Sequence, residues 1–168
     1  MFKEENGKIR NEVLKAVEGW PDEALNQKPS AEEWSPMQIL DHLQLMEAVV
    51  AKNIAKQLAS GKSEKAVKKP IGLTVSRMVK VDAPAHVVPS DNFISLADMK
   101  KRLEDSTALL HQVYDGTTPE VLEKKSMAHP VFGKVPLIQW FPFVGLHEKR
   151  HLKQLEKTLD KLKSEKVG

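Results

Sequence analysis

The chain contains no cysteine, so disulfides, thiolate nucleophiles and cysteine-based zinc sites are all excluded. A metal ion could be held only by His, Asp, Glu or water. Aromatic residues are scarce at 5%, and no apolar run approaches the roughly 20 residues that a membrane-spanning helix needs. The opening Met1-Phe2-Lys3-Glu4-Glu5 lacks the apolar core of a signal peptide, so a cytoplasmic protein with no membrane partner is expected.

Charge of one sign is not in large excess. Twenty-six Lys and Arg face 23 Asp and Glu, giving +3 overall, and the two signs are interspersed. The densest basic run, Lys62 to Lys69, is broken by Glu64 and flanked by Gly61 and Pro70. It reads as a solvated linker, and no nucleic-acid partner is expected.

What is present is helical periodicity. With 168 residues the chain is expected to fold as one domain, 1–168. Ile9, Val13, Ala16 and Trp20 mark a first amphipathic helix, stopped by Gly19 and Pro21. Ser35-Pro36-Met37-Gln38 carries a capping box with proline at the first helical position, which starts a second helix running to about Ser60. Its apolar stripe is Ile39, Leu43, Met46, Val50 and Ile54.

Residues 61–94 have weak periodicity and contain Ala83 to Pro89, which favours extended backbone. They read as a long crossover, partly helical within Leu73 to Val81, of a length that is often functional. Ser95 then caps a third helix with Leu96, Met99, Leu103, Leu110 and Val113 on one face. A short helical turn is predicted at Pro119 to Glu123, followed by a loop over Ala128 to Gly133. A fourth helix runs from about Val135 to Lys163 with Pro142 inside it, where a bend is expected. The expectation is an all-α four-helix bundle with a long crossover between the second and third helices. Bundles of this size often bury an apolar helix face between subunits, so a homodimer is one expectation and a monomer the other.

Six histidines are present. His111, near the end of the third helix, suits a surface or structural role. His86 and His129 fall in proline-containing loops, solvated or lining a pocket. His147 and His151 stand four apart on the fourth helix, about 40° apart around it and one turn along it, so both can reach one ion. Two solvated imidazoles would show the same spacing. His42 points inward from the second helix, as a satisfied core residue or as a third ligand. Together, His42, His147 and His151 offer three neutral nitrogen donors, a set suited to Zn²⁺, Ni²⁺ or Fe²⁺ with positions left open.

His147-Glu148-Lys149-Arg150-His151 also matches the H-E-x-x-H pattern of zinc proteases. No histidine follows His151, so a third ligand from an upstream helix fits better than the downstream ligand of many such enzymes. Gln38, Gln154 and Glu148 are candidates for hydrogen bonds around the site, or ordinary polar groups of the helix surfaces.

Trp34-Ser35-Pro36 with Asp41-His42-Leu43, and Gln139-Trp140 followed by His147 to Gln154, give the chain a pattern that resembles the DinB-like superfamily over nearly its whole length. That superfamily includes YfiT-type metal hydrolases and bacillithiol transferases. The resemblance implies a four-helix bundle with nickel or zinc on one histidine of helix two and two of helix four, matching His42, His147 and His151. It also implies a small-molecule substrate, with activation of a low-molecular-weight thiol (S-transferase) or of water (hydrolase). A non-enzymatic ligand-binding or stress-response bundle is the competing expectation, and a bundle without metal is a third.

Overall fold

The computed structural model describes residues 1–75 and 87–167. Four long helices form the bundle: α1 (Phe2–Val17), α3 (Pro36–Ala59), α4 (Leu96–Asp115) and α6 (Leu137–Val167). Short helices α2 (Asp22–Leu25) and α5 (Pro119–Lys124) and an antiparallel hairpin, β1 (Ser126–His129) and β2 (Gly133–Pro136), complete it. The principal packings are α3 on α4 and α1 on α6, with α6 also against α3. No helix among the described residues is long and apolar enough to cross a membrane.

The helix boundaries follow from local chemistry. Ser35 Oγ accepts from Gln38 N while Gln38 Oε1 accepts from Ser35 N, both at 3.0 Å, so two otherwise orphaned donors are satisfied together. Ser95 Oγ accepts from Asp98 N to open α4, and Thr118 Oγ1 does the same for α5. Gly19 at φ 80° turns the chain after α1, a conformation that glycine adopts without strain. Pro142 lies within α6 without ending it.

One expectation needs correction and one element was not foreseen. The stretch expected as a loop from Ala128 to Gly133 lies largely in the hairpin, with Met127 paired to Val135 and His129 to Gly133. Helix α2 was not anticipated; Asn26, just after it, bonds Ile94 through both backbone groups. On α4, Leu96, Met99, Leu103, Leu110 and Val113 all lie in or against the core as expected, and Ser106 adds a buried polar group to the helix. In the crossover, Ile71–Val75 forms a 3₁₀ turn packed on α6. Residues 76–81 of the stretch expected to be partly helical, residues 83–86 of the extended stretch, and His86 lie outside the described residues.

The apolar interior is split in two. One cluster gathers Val13, Leu43, Leu103 and Leu152; the other gathers Val50, Leu110, Phe141 and Val144. Between them every long helix contributes a polar group: Arg10 from α1, Glu47 from α3, Ser106 and Thr107 from α4, and Glu148 from α6. Arg10 donates to both oxygens of Glu148 at 2.6 and 3.0 Å and to Glu47 at 3.2 Å. It also reaches Leu103 O and Thr107 Oγ1, both at 3.1 Å. Glu47 accepts from Ser106 and Thr107 as well. Burial alone would lower the Arg10 pKa, but Glu148 and Glu47 outweigh it and push the pKa up, so the guanidinium stays charged.

Close approach of α1 to α6 depends on Gly145. A Cβ at that position would fall 2.1 Å from Asn6 Oδ1 and 3.4 Å from Ile9 Cδ1, and Asn6 donates to Phe141 O at 2.9 Å. A leucine cannot be absorbed by turning Asn6 away, because Ile9 stands behind it. Gly145→Leu is expected to lower unfolding free energy by about 1–3 kcal/mol in a urea titration. An unchanged midpoint would mean that the two helices separate there at no cost.

Candidate metal centre

Helix α3 carries His42 near its capped start, and α6 carries His147 and His151 one turn apart just beyond Gly145. Packing α6 on α3 brings the three imidazoles to one level of the bundle, with one ligand atom of each within 4.8 Å of the others. His42 Nε2 and His147 Nε2 are 3.2 Å apart. Two nitrogens bound to one ion at tetrahedral angles stand about 3.3 Å apart for bonds of 2.0–2.1 Å, so this pair is already at ligand spacing.

The outward nitrogens fix the tautomers. His42 Nδ1 faces the carbonyl of Val87 at 2.8 Å; a carbonyl only accepts, so Nδ1 carries the proton and Nε2 presents its lone pair inward. His151 Nδ1 donates to Gln154 Oε1 at 2.7 Å, which leaves its Nε2 free in the same way. Burial lowers the pKa of His42. It lowers that of His147 well below the ordinary value, aided by His151 and His42. His151 falls to about 4, through burial first and then His42. All three are neutral donors at neutral pH, which is the form that binds metal.

The walls are aromatic. Trp34 lies 5.1 Å from the His42 ring, and Phe143 lies 6.2 Å from His147. His129, on β1, packs on Phe143 at 5.1 Å and on Trp140 at 5.6 Å. It is half-buried rather than solvated, and burial lowers its pKa. His111 lies away from the cluster with its ring 5.9 Å from Phe2.

The three polar candidates part company. Gln154 bonds His151. Gln38 closes the capping box and donates to Asp91 Oδ1 at 3.0 Å and Ser90 O at 3.3 Å. Glu148 turns to the opposite side of α6 and is held by Arg10, so its carboxylate faces away from the imidazoles. A zinc-protease reading needs that carboxylate as the general base, and Arg10 removes it. Burial raises the Glu148 pKa even with Arg10 beside it.

Asp41 was not anticipated as a support. It is buried, accepts from Ser90 N at 3.2 Å and from Gln44 Nε2 at 2.8 Å, and lies 3.8 Å from Arg102. With Gln38 it ties the end of the crossover to α3, which is what holds the Val87 carbonyl over His42. No spacing in the sequence signals a contact between residues this far apart.

Gln154→Leu is expected to weaken metal binding about 10–100-fold, measured by competition with a chromophoric chelator. Unchanged affinity would show that Gln154 does not orient His151.

The fold and the site define a helical-bundle protein with three convergent imidazoles at one level of its core. A family model for the DinB superfamily matches residues 7–155, and the chain belongs to that superfamily. It is 35% identical over 153 residues to the uncharacterized protein YuaE of Bacillus subtilis (strain 168), covering 91% of this chain and 94% of that one. Its fold is similar to that of TT2238, a four-helix bundle protein, with TM-score 0.64 and 17% identity over 93% of this chain and 96% of the other. It is also similar to YfiT from Bacillus subtilis, described as "a probable metal-dependent hydrolase with an unusual four-helix bundle topology", with TM-score 0.55 and 15% identity, covering 95% and 86% of the two chains.

Proposed function

We propose that this protein is a metal-dependent enzyme that activates a low-molecular-weight thiol and transfers it to an electrophilic small molecule. His42, His147 and His151 would hold the ion, Ni²⁺ or Zn²⁺, with Fe²⁺ also suited to imidazole. The observation that carries the reading is the set of three neutral imidazoles whose outward nitrogens on His42 and His151 are committed to Val87 O and Gln154. A divalent ion there supplies Lewis acidity, lowering the pKa of a thiol or water that reaches it. The chain has no cysteine of its own, so any thiol comes with the substrate.

Thiol transfer is favoured over hydrolysis by the position of Glu148. Water starts from a pKa near 15.7 and metal-assisted hydrolysis commonly adds a general base, whereas a thiol near 8.5 needs far less activation. The only carboxylate next to the pair in sequence is engaged by Arg10, so a released thiol proton would pass to solvent. Trp34 and Phe143 place apolar rings on two flanks of the imidazoles. A cytoplasmic location, where thiols are kept reduced, fits this reading.

The test is turnover of cysteine or glutathione with monochlorobimane by protein carrying one equivalent of Ni²⁺ or Zn²⁺. An S–C bond forms, a C–Cl bond breaks, chloride leaves and the thiol proton goes to solvent. Chelator-sensitive turnover is expected. Metal-loaded protein that hydrolyses p-nitrophenyl acetate but transfers no thiol would reassign it as a hydrolase. No turnover of either kind with metal bound would point to the ligand-binding bundle.

A further inference from the structure

Of the arginines described, Arg150 is the one with no carboxylate partner among the described residues. Arg10 is saturated by Glu148 and Glu47, and Arg102 lies 3.8 Å from Asp41. Arg150 is half-buried on α6, three residues beyond His147, and its one hydrogen bond among the described residues is a long one of 3.5 Å to Thr74 O. On α6 it immediately precedes His151.

Thr74 supplies a second, independent observation. It sits in the 3₁₀ turn packed on α6, is 8% exposed, and its Oγ1 has no hydrogen-bond partner among the described residues. A buried hydroxyl left unpartnered is unfavourable and calls for a specific explanation. A guanidinium with no carboxylate partner and a hydroxyl with no hydrogen-bond partner among the described residues, linked through the Thr74 backbone, offer several N–H donors and one O–H donor. The planar fork of arginine matches the two oxygens of a carboxylate or phosphate.

We propose that Arg150 and Thr74 form an oxyanion subsite beside the three histidines, which binds the carboxylate or phosphate of an anionic small-molecule substrate. This deepens the reading above, on which its place next to a reacting centre rests. It gives the H-E-x-x-H stretch a second role, since two of its residues face the ion site and Arg150 orients what arrives there. Glu148, by contrast, serves the polar layer.

The experiment follows the Arg150 Nε–H resonance of full-length protein, identified by its loss in Arg150→Lys, during titration with propionate, propionamide and inorganic phosphate. Metal-free and zinc-loaded samples are both titrated. Propionate or phosphate is expected to shift the signal saturably and propionamide is not, with the preferred anion naming the oxyanion class. Thr74→Val should weaken the binding about threefold, and Arg150→Lys, followed by calorimetry, at least about tenfold, because lysine lacks the fork. Equal affinity in the wild type and both variants, or no saturable shift by either anion, overturns the subsite. Absence of zinc binding in the same samples would instead overturn the metal reading, while an Arg150-dependent anion response would still support the subsite.

Discussion

His147→Ala is expected to purify as a folded protein that no longer holds one equivalent of metal. His42→Ala and His151→Ala should behave alike, because each removes one of three donors that sit on two helices and share one point. Loss of an outer partner of a ligand costs about 10–100-fold in metal affinity, and loss of a ligand itself should exceed that. Metal bound only by the native state stabilises it by about 2.7 kcal/mol when its concentration is 100 times the dissociation constant. The wild type should therefore melt higher with added Ni²⁺ or Zn²⁺ and the three variants should not.

His111→Ala serves as the control. That residue lies away from the cluster, so the variant should retain the metal content and the metal-dependent melting shift of the wild type. Elemental analysis with paired melting curves reads both effects. Full metal content in His147→Ala would remove the three-histidine site from consideration.

Much of this centre was legible because it rests on helical spacing. Two histidines four apart on α6 and one inward histidine on α3 are properties of local sequence, as are the Ser35 and Ser95 caps that set where those helices begin. What was hidden depends on contacts between distant segments. Glu148 is the residue after His147, yet its direction is decided by Arg10, 138 residues away. Gln38 signalled a cap and also a site, and the structure shows it in the cap and on the crossover. The hairpin was missed because strands of four residues are too short to display alternation, and α2, at four residues, is too short to display a turn-and-a-half of periodicity. Thr74 gave no signal at all, since a single threonine in the partly helical stretch of the crossover marks no site.

Arg10→Met is expected to be the most damaging substitution outside the metal centre. It leaves Glu47 and Glu148, 3% and 4% exposed, without their positive partner between two apolar clusters. Removing one member of such a buried group costs about 3–5 kcal/mol, because a charge is left uncompensated. Replacing all three with apolar residues, Arg10→Met with Glu47→Met and Glu148→Leu, should recover most of that loss, since the desolvation cost disappears with the charges. Urea unfolding of the single and triple variants distinguishes the two cases, and a single-variant loss below about 1 kcal/mol would show that water enters this layer and screens it. The triple variant also separates stability from site geometry. Glu148 anchors the rotation of α6 through Arg10, and that rotation sets His147 Nε2 at 3.2 Å from His42 Nε2. If the triple variant regains stability but binds metal more weakly than the wild type, the polar layer is retained for the registry of the imidazoles rather than for the strength of the fold.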